Sequence, residues 1–147
     1  MGGRETERAS VTLAMIPGLS SFTMIDFEKA SVFKLSPIDT RDIGQDLAPV
    51  LIPGERLVAA FKGVRDFVAF TDKRLITVNI QGMTGKKRDY TSLPYSKVQA
   101  FSIETAGHFD LDAELELWFS GLGKVRLEFR GKADIRALGQ LIAMGSL

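Results

Sequence analysis

Hydrophobic and polar positions alternate most cleanly between Ala113 and Arg130. Ala113, Leu115, Leu117 and Phe119 fall on one side, with Glu114, Glu116 and Trp118 on the other. A period of two is the signature of a strand with one buried face. Gly121-Leu122-Gly123 then reads as a hairpin turn into Val125, Leu127 and Phe129, opposed by Arg126, Glu128 and Arg130. Upstream, Arg56 to Lys62 reads as a strand with one fully apolar face, Leu57, Ala59 and Phe61, and Val64 to Thr71 and Leu75 to Ile80 are rich in β-branched and aromatic residues. Thr71-Asp72-Lys73-Arg74 is the polar turn between the last two, and a connection so short makes them antiparallel.

Gln81 to Gly85 supplies another turn, and Lys86-Lys87-Arg88-Asp89-Tyr90 follows as a strand too charged at its start to be central. Leu93-Pro94-Tyr95 interrupts pairing, because proline has no amide hydrogen for the ladder. A strand from Val98 to Thr105 comes next, with Phe101 and Ile103 inward. The period changes only at the end, where Ile135, Leu138, Leu141 and Ile142 recur at helical spacing behind Asp134. A shorter helix is expected after the break at Ser36-Pro37-Ile38, capped by Asp39 or Thr40 and closed by Pro53-Gly54. Ile43 and Leu47 form its apolar stripe.

The pattern thus predicts a mainly β (α+β) domain: about seven antiparallel strands in a partly open barrel, a short N-terminal helix, and a C-terminal helix as plug. Residues 33–147 are assigned to the domain. Residues 1–32 are read as an N-terminal extension, because Pro17-Gly18 and Glu5 and Glu7 argue against a signal peptide.

Several of these segments together resemble the bacterial pleckstrin-homology (PH) domain family. They are Glu55-Arg56-Leu57 with Phe61-Lys62, the run from Arg65 to Ile76, Gln81 to Lys87, Pro94-Tyr95, Ser102 to Gly107, Phe109 to Asp112, and Glu114-Leu115. The match runs from about Thr40 to the C-terminus in the family's order. The resemblance implies a PH-like partly open barrel with a capping helix, a tendency to form ring-like homo-oligomers, and no established enzymatic activity.

Composition narrows the chemistry. Nineteen basic and eighteen acidic residues give a net charge of +1, so nothing draws the whole molecule to nucleic acid or to an anionic membrane. The 147 residues contain no cysteine, which removes disulfides, thiolate nucleophiles and cysteine metal sites and fits a cytoplasmic setting. His108 is the single histidine. With Asp110 and Asp112 it forms a glycine-bounded turn more readily than a metal site, so neither metal nor cofactor is expected. Ser92 and Ser102 lack triad partners, and no catalytic residue is assigned.

Two candidate surfaces remain. Lys86, Lys87 and Arg88, together with Lys73 and Arg74 from the neighbouring turn, are candidates for an anionic ligand such as a phospholipid headgroup or a phosphorylated metabolite. Trp118, opposite the core face of its strand, and Phe67 are candidates for an interface. The reading drawn from these observations is a non-enzymatic interaction module acting through protein–protein contacts and homo-oligomerisation. Peripheral membrane contact is the less favoured alternative.

Overall fold

The computed structural model describes residues 31–107 and 112–147. Its elements are β1 (Ser31–Ile38), α1 (Gly44–Leu47), β2 (Leu57–Lys62), β3 (Asp66–Thr71), β4 (Arg74–Gln81), β5 (Lys87–Pro94), β6 (Val98–Glu104), β7 (Ala113–Phe119), β8 (Gly123–Phe129) and α2 (Ile135–Ser146). Single 3₁₀ turns precede α1 at Thr40–Asp42 and β6 at Tyr95–Lys97. The eight strands form one sheet in the order β5-β4-β3-β2-β1-β8-β7-β6.

The sequence pattern predicts seven strands, and the eighth is β1. Its register explains why it carries a proline. Ser31 to Leu35 pair in parallel with Val125 to Phe129 of β8, whereas Ser36, Pro37 and Ile38 pair antiparallel with Lys62, Phe61 and Ala60 of β2. By Pro37 the β8 ladder has ended, so its missing amide hydrogen interrupts nothing on that side. What reads as a break is the point where the strand changes partners. β1 is thereby the joint between a β2–β5 half and a β6–β8 half.

Two cores lie on opposite faces of the sheet. The larger gathers Phe61, Phe70, Tyr95, Leu115, Phe129 and the α2 residues Ile135, Leu138, Leu141 and Ile142. The alternation read on β7 and β8 is observed, with all seven inward positions from Ala113 to Phe129 buried. The smaller core places Ile43 and Leu47, from the segment around α1, against Phe67, Ala69, Ile76 and Val78. Asp39 caps the first turn by accepting from the Arg41 amide at 2.9 Å, and Asp134 caps α2 through Ala137 at 3.1 Å.

α2 approaches the sheet through two glycines. A Cβ on Gly145 would sit 2.7 Å from Tyr95 Cβ and 2.8 Å from its Cδ2, whereas one on Gly139 would meet only Ile103, 3.2 Å from its Cγ2 and 3.4 Å from its Cδ1. Gly145→Ala is therefore expected to destabilise by about 1–3 kcal/mol through overpacking against the fully buried Tyr95 ring, outweighing a propensity gain of up to about 1 kcal/mol. Gly139→Ala, whose neighbour Ile103 is partly exposed and need give only a few tenths of an ångström, is expected to be near neutral. Thermal unfolding of the two variants checks the contrast.

Candidate functional site

The cations singled out in the sequence do not form one site. Lys73 and Arg74 stand at the start of β4, while Lys86, Lys87 and Arg88 follow its end, and eight residues of strand separate the groups by about 24 Å. Arg74 is also fully engaged. Its Nε and Nη2 donate to the Glu55 carboxylate at 2.9 and 2.8 Å, Nη2 also to the Val50 carbonyl at 2.6 Å, and Nη1 to Ser92 Oγ at 2.8 Å.

Glu55 accepts in addition from Thr71 Oγ1 at 2.7 Å and from the Ile52 amide at 3.2 Å, and its side chain is 0% exposed. The Arg74 hydrogen bonds are the main cause holding its carboxyl at about 2, well below its ordinary value of 4.5. Tyr95 completes the cluster by donating to the Thr71 carbonyl at 2.7 Å, and burial pushes its phenol pKa far up. This assembly fastens the segment before β2 to the β3–β4 turn. Its polar atoms are occupied by one another, so Arg74 is a structural residue and not an anion ligand.

The opposite end of the β2–β5 meander is built differently. There the β2–β3 and β4–β5 turns lie side by side, and Arg65 Nη2 donates to the Gly82 carbonyl, joining them. Gly82 and Gly85, with φ of 78° and 66°, allow the tight reversal that puts Met83 at the tip. Met83 is 105% exposed and Val64, at the tip of the adjoining turn, 94%. Lys62, Arg65, Lys86 and Lys87 are exposed around them. Arg88 points elsewhere: its Nη2 meets Asp46 Oδ1 at 3.2 Å, where Tyr90 also donates to the Asp46 carbonyl at 3.0 Å. The cleft between these turns and α1 is lined by the apolar Ile38, Ile43, Phe67 and Ile80, and by both signs of charge: Asp42, Asp46 and Asp66 with Lys62, Arg65 and Arg88.

Lys62, Val64, Arg65 and Met83 were not singled out from sequence. Val64 reads as the first residue of a strand, whereas β3 begins at Asp66 and leaves Val64 in the turn. The available signal was a large apolar residue next to glycine in each of two turns, flanked by cations.

The two interface candidates also part. Phe67 is 5% exposed, because the α1 segment covers that face of β3 and buries the strand on both sides. It offers no surface for a partner. Trp118 is half-buried between Ala100 of β6 and Lys124 of β8, with Lys124 Nζ 5.7 Å from the ring centroid. Around it Arg126 bridges Glu114 at 2.5 Å and Glu128 at 3.4 Å, two carboxylates that the register sets directly opposite each other. His108 and Asp110 lie outside the described residues. Among the described residues no group of three or more acidic, histidine or cysteine side chains could hold a metal ion, and no helix is long and apolar enough to cross a membrane.

With the geometry in view, comparison with known proteins adds the relationships. The family model described as Bacterial PH domain matches residues 26–145. The uncharacterized protein YjqA of Bacillus subtilis is 46% identical over 110 residues, covering 74% of this chain and 88% of that protein. A crystal structure of a DUF1696 family protein with a pleckstrin-homology domain from Shewanella loihica is 39% identical with a TM-score of 0.66, covering 78% of this chain and 99% of that one. A pleckstrin homology domain from Shewanella amazonensis is 42% identical with a TM-score of 0.55, covering 75% and 90%.

Proposed function

The chain belongs to the bacterial PH domain family, and from that premise we propose that it is a non-enzymatic interaction module of the cytoplasm that works as a homo-oligomer. One observation carries this reading: among the described residues the sheet is open, with β5 and β6 as its two edges. Unpaired edge strands invite another strand, and proteins that avoid pairing blunt them with charge, proline or a covering element. β5 carries Lys87, Arg88 and Asp89 and ends on Pro94, whereas β6 has a single charge, Glu104, and no proline. Gln99, Ala100, Ser102 and Ile103 of β6 are exposed.

Because each copy has one edge at either end of its strand order, head-to-tail pairing of β6 with β5 of the next copy consumes both. Such a heterologous contact leaves no edge free when it closes into a ring. The half-buried Trp118, on the strand next to β6, lies within reach of a neighbour's edge.

Size-exclusion chromatography with light scattering at low and high salt tests the assembly. The expected result is a discrete, salt-resistant multiple of the 16.1-kDa chain. Placing charge on the β6 edge through Ala100→Lys with Ser102→Lys is expected to release folded monomers. A wild-type protein that elutes as a monomer at both salts overturns the reading.

A further inference from the structure

We propose that the groove between α2 and the start of β2 is a docking site for an acidic amphipathic helix of a partner protein. Leu57 and Val58 form one wall and Ala137, Leu141 and Met144 the other, around a volume of about 740 Å³. β1 pairs with β2 only at Ala60 to Lys62, which leaves Leu57 and Val58 without that neighbour. The flank of α2 that faces β6 is a different one, where Gly139 stands against Ile103. The groove therefore stands or falls independently of the edge pairing described above.

A single exposed apolar residue needs no explanation, but two on facing walls of one groove do. Val58 is 48% exposed and Met144 77%. The spacing on α2 says what shape would cover them. Ala137, Leu141 and Met144 stand at i, i+4 and i+7, so they share one face of the helix and extend it over about 10 Å. That is the length over which the i, i+4 and i+7 anchors of a second helix would lie in a groove. Ala137 contributes only a methyl group, which lets a second axis approach to the lower end of helix packing distances, roughly 8 Å.

Charge selects among such helices. Among the described residues, Arg56 is the only charged one lining the groove. Its side chain is 80% exposed, and its pairing with Asp72 spans 3.9 Å, the limit of an ion pair. On the other wall Arg136 is exposed one turn before Gln140, which also lines the groove. Both walls thus carry a cation beside their apolar residues. A helix whose apolar stripe is flanked by glutamate or aspartate complements them, whereas a basic helix meets like charge.

The test is fluorescence anisotropy of a labelled helical peptide with leucines at i, i+4 and i+7 and glutamates on its other faces, titrated with the full chain. Saturable binding is expected, at least tenfold weaker when the leucines are replaced by serine or the glutamates by lysine. Val58→Thr with Met144→Gln, which keeps strand and helix propensity but removes apolar contact, is expected to weaken binding about tenfold. Its thermal transition is expected to be unchanged, because neither residue belongs to a core. Arg56→Gln is expected to cost up to about fivefold and to narrow the preference for the glutamate peptide over the lysine peptide. Absence of binding by any of these peptides would overturn the proposal, as would equal binding by the serine peptide or by the Val58/Met144 double variant. A disulfide-linked pair formed in high yield by Met144→Cys, in a chain with no cysteine of its own, would overturn it in favour of a second copy seated in the groove.

Discussion

Replacing Arg74 by alanine is expected to cost about 3–5 kcal/mol and to lower the melting temperature by roughly 10–25 °C, close to abolishing the folded state. The size follows from what stays behind. Glu55, with a side chain 0% exposed, keeps its charge in the folded protein but loses the two guanidinium bonds at 2.8 and 2.9 Å that compensate for its removal from water. The Val50 carbonyl and Ser92 hydroxyl lose their donor in the same step. Glu55→Leu combined with Arg74→Met, which removes both charges and keeps apolar bulk, is expected to be more stable than Arg74→Ala alone. Denaturant unfolding of the single and double variants measures the coupling directly.

The same pair sets an acid limit. The Glu55 carboxyl holds its proton only below about 2 in the folded state, against an ordinary value of 4.5, so the unfolded chain takes up that proton first as pH falls. The stability it contributes is fully present above pH 4.5, declines below that, and is gone once pH passes below about 2. Glu55→Gln, lower in stability at neutral pH, is expected to lose less over this window. Melting curves from pH 6 to pH 2 separate the two proteins by slope as well as by height.

The residues themselves explain which features were legible in the sequence. β7 and β8 could be read to the residue because their outer faces are charged and their inner faces apolar, so alternation reports burial directly. α2 and its Asp134 cap were equally plain. β3 is covered on both sides, which erases the alternation that would have placed Phe67. β1 was hidden for a different reason. Its partners β8 and β2 are fixed by contacts far along the chain, and Pro37 reads as a break unless the change of partner at that point is known.

At the candidate sites the residue types were visible, but their grouping depended on three-dimensional position. Lys73 and Lys86 are close in sequence, yet β4 holds them at opposite ends. Val64 and Met83 are nineteen positions apart, yet meander topology sets their turns side by side. Arg74 gave no sign in sequence of its distant partner Glu55, apart from the family motif that contains both.

Leu35→Asp on β1 is expected to prevent folding altogether, a larger effect than the same substitution would have on an edge strand. Leu35 is 1% exposed and stands in register with Phe129 of β8, at the position where the strand leaves β8 for β2. Phe129 in turn packs edge-on against Phe61 of β2, with ring centroids 4.7 Å apart, so Leu35 belongs to the core that joins the two halves of the sheet. An ionised carboxylate there would stand within an apolar core, and a buried unpaired charge costs several kcal/mol, against a total stability of about 5–15 kcal/mol for a domain. The milder Leu35→Ala, costing about 2–5 kcal/mol by cavity formation, is expected to keep a folded protein with one cooperative transition. That single transition is the deciding observation. If β1 is the strand through which the halves fold as a unit, Leu35→Ala lowers one melting temperature for the whole molecule. Two separate transitions, followed by Trp118 fluorescence in the β6–β8 half and by far-ultraviolet circular dichroism overall, would instead mean that the halves hold together without it.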